Sequence, residues 1–96
     1  MAVTLMGCAS SPLRYVDPEG KEHSGTLNEM MSSMTADIDG RHYEGRYTVL
    51  DMWGEARGIL TAANRETLSC KFMFRLRDVA GRCTTPLGRS YDFRNR

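Results

Sequence analysis

At 96 residues the chain is long enough for one small domain and too short for a separate catalytic one. With 41% apolar and 26% charged residues it has the composition of a folded globular protein, which argues against a disordered chain. No run approaches the ~18 consecutive apolar residues that a membrane-spanning helix needs.

In chain order, "LRYV" (residues 13–16) and "HSGTL" (residues 23–27) are short strand-like runs on either side of the turn "DPEGK" (residues 17–21). The next segment, "TLNEMMSSMTADI", supports two readings. Leu27, Met30, Met31, Met34 and Ile38 suit one face of a helix, and Thr26 with Glu29 has capping-box spacing. Met30, Ser32, Met34, Ala36 and Ile38 also alternate, and the hairpin signal Asp39-Gly40 needs a partner strand before it. Extended structure is therefore expected in the later half, with a short helix over residues 27–31 left open. The methionines read as adaptable core filling.

In "RHYEGRYTVL", Tyr43, Tyr47 and Val49 alternate with polar residues, and Gly45 lies on the apolar side, where it marks a bulge or a close approach. Trp53, the lone tryptophan, reads as a core or loop-packing residue next to a turn. "GILTAA" (residues 58–63) and the weak turn "ANRE" lead to the clearest pattern, "TLSCKFMFRLR". There Leu68, Cys70, Phe72, Phe74 and Leu76 share one face of a half-buried strand. A reversal near residues 77–81, the run "GRCTT", the turn "PLGRS" and the run "SYDF" complete the chain. Short strands separated by turns describe an all-β fold, with at most one short helix: a small antiparallel meander, curled sheet or partly open barrel.

The net charge of +1 hides an asymmetry. The first 70 residues hold six basic and ten acidic side chains, whereas residues 71–96 hold seven basic ones against Asp78 and Asp92. Lys71, Arg75, Arg77, Arg82, Arg89 and Arg94 form a candidate surface for anions. The plain alternative is a set of solvated arginines on outer strand faces.

Catalytic and metal chemistry find little footing. His23 and His42 are far apart, read as exposed strand or turn residues, and no Cys-x-x-Cys or His-x-x-x-His spacing exists, so no metal or cofactor is expected. Ser24, His42 and Asp51 make a nucleophilic triple on paper only. "KFMFRLR" interleaves aromatic and basic residues as single-strand-binding barrels do, but Phe72 and Phe74 share the core face. A cytosolic barrel binding single-stranded nucleic acid is thus the alternative reading, and a small enzyme ranks below it.

The stretch "LMGC" (Leu5, Met6, Gly7, Cys8) resembles the lipobox of small bacterial, proteobacterial-type lipoproteins. The resemblance implies a lipidated Cys8 as the mature N-terminus, with residues 1–7 a remnant of a signal peptide, residues 8–12 the lipidated cysteine and tether, and residues 13–96 one β-rich domain. The same resemblance implies, from Ala9 in place of an aspartate, that the outer membrane is favoured. "TLSCKFMFRLRDVAGRCTTPLGRSYDF" is similar to the end of uncharacterised envelope lipoproteins, through Leu68, Cys70, Phe72, Gly81, Cys83, Gly88, Arg89, Tyr91 and Asp92. "YEGRY" also resembles a single MORN-type hairpin repeat.

With Cys8 assigned to lipid, Cys70 and Cys83 remain as a pair on successive strands. A disulfide fits the oxidising periplasm, and two reduced buried cysteines fit a cytosolic chain. The expectation is a noncatalytic, lipid-anchored protein on the periplasmic side of the bacterial envelope. It binds or scaffolds at the membrane, with anionic lipid, lipopolysaccharide or an envelope protein as partner.

Overall fold

The structure, a computed structural model, describes residues 10–95. Cys8 and the expected signal-peptide remnant therefore lie outside the described residues. Eight strands follow one another: β1 (Ser10–Val16), β2 (Glu22–Asn28), β3 (Ser33–Ile38), β4 (Arg41–Val49), β5 (Glu55–Ala62), β6 (Thr67–Arg75), β7 (Asp78–Thr84) and β8 (Ser90–Arg94). Each pairs antiparallel with the next, and β8 returns to β1, so the sheet closes into an up-and-down barrel. The closing seam is short among the described residues: Arg14, Tyr15 and Val16 register with Arg94, Phe93 and Asp92. Closure removes the free sheet edges that a meander would expose.

Alternation decides which residues enter the lumen. Tyr15, Leu27, Met34, Leu60, Leu68, Cys70 and Cys83 are fully buried there, while their strand neighbours face outward. Aromatic rings run through the lumen in a continuous series. Tyr15 lies 5.1 Å from Phe93, Phe93 5.5 Å from Phe72, and Phe72 5.2 Å from Tyr47, with Phe74 5.5 Å from Phe72. An eight-stranded barrel is just wide enough for such side chains to fill it.

Glycines make the room. A Cβ on Gly25 would sit 2.5 Å from the Tyr15 ring and 2.2 Å from the Thr35 carbonyl oxygen; Tyr15 in turn donates its hydroxyl to that carbonyl at 2.9 Å. Gly45 meets the second of the two readings given for it. The β4 register is unbroken, with no bulge, and a Cβ there would lie 2.1 Å from the Ile59 carbonyl oxygen.

Cys70 and Cys83 stand directly opposite each other in the β6–β7 ladder, with Cα atoms 4.0 Å apart, and form a disulfide inside the barrel. The Asp39-Gly40 hairpin forms as a two-residue loop with positive φ at both positions, 51° and 78°, which is what an Asp-Gly loop supplies.

Several expectations are corrected. Thr26, Leu27 and Asn28 belong to β2 and a tight turn follows, so the optional helix does not form. Ser10, Ser11 and Pro12, read as tether, are strand residues paired with Asn28, Leu27 and Thr26. The β6–β7 reversal falls at Leu76–Arg77, ahead of the expected place, and turns Leu76 out of the core face into solvent. Met34 fills the core as expected of that segment's methionines, but Met30 and Met31 are exposed; Trp53, next to its turn, is exposed as well. His23 is buried, whereas His42 is on the surface.

Candidate functional site

The up-and-down order sorts the connections onto two ends. One, the entry end, holds the start of β1, the turns at residues 29–32, 50–54 and 76–77, and the end of β8. The far end holds the turns at residues 17–21, 39–40, 63–66 and 85–89.

Apolar exposure is concentrated at the entry end. Of the nine large hydrophobic residues exposed among the described residues, seven sit there: Met30, Met31, Val49, Leu50, Met52, Trp53 and Leu76. Ile59 on the outer wall and Leu87 at the far end are the other two. Met52 is 89% exposed, Trp53 75%, and Leu76 fully.

These tips are held by hydrogen bonds. The Asp51 carboxylate accepts the backbone N–H groups of Trp53 (3.0 Å) and Glu55 (3.2 Å), and Phe74 N–H donates to the Gly54 carbonyl at 2.8 Å. The Asn28 side chain accepts the Met31 N–H at 3.0 Å. Asn95 donates to the Arg77 carbonyl at 2.7 Å and accepts the Val79 N–H at 3.2 Å. Leu76 occupies the turn at φ 55°, a left-handed conformation that costs a leucine about 1–2 kcal/mol. Ordered turns thus present apolar side chains to solvent.

The far end is polar. His23 Nε2 meets Asp17 Oδ2 at 3.0 Å, with both side chains 4% exposed. Asp17 also accepts the backbone N–H of Glu19 (3.0 Å) and Lys21 (2.8 Å). The His23 hydrogen bond, more than those two, holds the Asp17 carboxyl below its ordinary value. Arg89 pairs with Glu19, approaches Asp17 at 3.7 Å, donates to the Tyr91 hydroxyl at 3.0 Å and lies over the Tyr91 ring. The pair is almost wholly buried, and through Asp17 it pins the β1–β2 turn. Beside it a half-open hollow of about 470 Å³ is lined by Arg41, Tyr43, Arg65, Glu66, Leu87 and Tyr91, among others, and Glu66 accepts from Arg41 and from Asn64 at 3.0 Å.

The basic residues that stand out in the sequence are distributed over three places. Lys71 and Arg82 stand side by side on the outer wall, with Arg57 on the other side of Lys71, and Arg94 pairs in register with Arg14 and Ala80. Arg82 is neutralised by Asp92 at 2.7 Å, which keeps its guanidinium firmly protonated. Arg75 and Arg77 flank Leu76 at the entry end, and Arg89 is at the far end. Ser24 and His42 both register with Asp37, which meets His42 Nδ1 at 2.6 Å, while Asp51 lies at the entry end. The triple is not assembled. Among the described residues no cluster of three or more His, Cys, Asp or Glu side chains has metal-binding geometry.

Phe72 and Phe93 are core residues, and Tyr91 is buried under Arg89, so the basic wall carries no aromatic platform from them. Sequence pattern does not reveal the apolar entry end, because its residues look like core in a linear reading. Only the position of the turns separates Leu76 from Phe74.

No protein-family model matches the chain, and no curated protein matches it. A solved structure described as the de novo design of a fluorescence-activating beta barrel is similar to it, with a TM-score of 0.64 and 17% identity, over 92% of this chain and 91% of that one. At that identity the likeness concerns the barrel fold alone.

Proposed function

We propose that the chain is a noncatalytic, lipid-anchored protein of the bacterial envelope, held through Cys8 on the periplasmic side of a membrane, with the outer membrane favoured, where it binds or scaffolds a partner. The observation that carries this reading is the Cys70–Cys83 disulfide. Such a bond suits an oxidising compartment, and it uses two of the three cysteines, so that Cys8 is the odd one of the set.

The site supports binding over catalysis. The Asp17–His23 pair is almost wholly buried and tied into the β1–β2 turn, and the exposed side chains are dominated at the entry end by apolar turn tips. The competing reading, a cytosolic barrel for single-stranded nucleic acid, is disfavoured on the basic wall, where Phe72 and Phe93 point inside and supply no stacking surface.

The test is fractionation of the source cell expressing the gene with its upstream sequence. After an alkaline carbonate wash that strips peripherally bound protein, the wild-type chain is expected to stay with the membranes and a Cys8→Ser variant to be released. Equal retention of both through the wash would remove the anchor from the account.

A further inference from the structure

We infer that the entry end of the barrel is a bilayer-docking surface, with Met30, Met52, Trp53 and Leu76 inserted among lipid headgroups and the barrel axis standing off the membrane. The inference deepens the lipid-anchored reading and rests on it for the choice of occupant; its own ground is the one-sided distribution of exposed apolar residues.

Three observations favour lipid over another protein. The apolar groups are highly exposed and spread over three separate turns, an arrangement a fluid interface accepts without a partner of matching shape. Methionine, leucine and tryptophan are at home at the headgroup boundary, tryptophan above all. The chain also enters β1 at this same end. From Cys8 to Ser10 the backbone reaches at most about 7 Å, so an acyl group on Cys8 holds the tips against the bilayer whatever path residue 9 takes.

Leu76 adds a fourth point. A fully exposed leucine at positive φ is unfavourable both for the backbone and for hydration, and insertion removes the second cost.

Charge plays a minor part. Arg75, Arg77 and Arg94 share this end with Glu29, Asp51, Glu55 and Asp78. Association is therefore expected on neutral as well as anionic lipid, with weak salt dependence. The Arg57–Lys71–Arg82 row points sideways in this pose.

The test uses the full chain carrying Cys8→Ser, so that no acyl group contributes, and reads Trp53, the single tryptophan. Vesicles of phosphatidylcholine, alone and mixed with phosphatidylglycerol, are expected to shift its emission to the blue, and brominated phospholipid to quench it. Met52→Asp with Leu76→Asp lowers partition about tenfold or more, at positions where aspartate disturbs no core packing. Leu87→Asp, at the far end and equally exposed, leaves partition unchanged and controls for general hydrophobicity.

Four results would overturn the inference: no response to vesicles; emission already blue in buffer, from cover by residues 1–9 or a second copy; equal loss in the Leu87 variant; or response to the anionic vesicles alone. An unacylated Cys8 in the cell would sink the anchor while leaving the Trp53 response in place, so the two readings fail separately.

Discussion

Ser10 pairs with Asn28 across the β1–β2 ladder, and Asn28 in turn accepts the Met31 backbone N–H at 3.0 Å. The first described strand residue and one of the apolar turns are thus two links apart. The chain preceding the barrel is delivered to the end where exposed apolar side chains collect, and the polar network of Asp17, His23 and Arg89 is left at the other.

Replacing Leu76 by asparagine is expected to stabilise the fold by about 1 kcal/mol, because asparagine tolerates the left-handed backbone that leucine resists. The same change weakens vesicle association. Urea unfolding midpoints check the first effect and flotation with vesicles the second; a lower midpoint would mean that the turn needs the leucine for a contact the structure does not contain.

The disulfide closes a loop across a separation of 13 residues, for which loop-closure entropy gives about 3 kcal/mol. Reduction of the wild-type chain, or its Cys70→Ala with Cys83→Ala variant, should lower the unfolding free energy by about that much. Matching midpoints in oxidised and reduced protein would show that lumen packing alone holds β6 to β7.

Gly25→Ala is expected to cost about 3 kcal/mol. Its Cβ meets the Thr35 carbonyl oxygen at 2.2 Å, and a backbone atom in a closed sheet cannot yield as a side chain can. Gly40→Ala is the comparison: it has no atom within 4 Å, so any loss there comes from its positive φ. Similar costs for both, with an unchanged Tyr15 environment, would refute the close-approach account.

Two titrations should shape stability against pH, in opposite senses. Asp17 has its carboxyl lowered by the His23 hydrogen bond and then by two backbone N–H groups, so its contribution is complete above the ordinary aspartate range and is lost as pH falls through the lowered value. His42 is raised by its hydrogen bond to Asp37, with the charges of Asp37 and Glu44 adding to it. Its contribution is complete below about 6.5 and disappears as pH rises through the raised value. Thermal melts across pH check both: Asp17→Asn should flatten the acid limb and His42→Gln the upper one.

Much of the fold was legible in residues whose reasons are local. The alternation of Leu68, Cys70, Phe72 and Phe74 sets one face of β6 inward, and Asp39-Gly40 dictates its turn. Closure was not legible, because pairing of β1 with β8 joins residues about 80 positions apart and leaves no local trace. His23 misled for a different reason: its partner Asp17 is only six residues away, but the two side chains meet only once the β1–β2 turn has formed. The surface site was hidden by chemistry. Leucine, methionine and tryptophan signal burial in a linear pattern, and only a two-residue turn placed at Leu76–Arg77 shows that this leucine faces water.

The anchor is tested most directly by the intact mass of nonreduced protein recovered from the membrane fraction of its source cell. The account predicts a chain beginning at Cys8, heavier by its acyl groups and two hydrogens lighter through the Cys70–Cys83 bond. A chain with unmodified Cys8 and two free lumen thiols would contradict it.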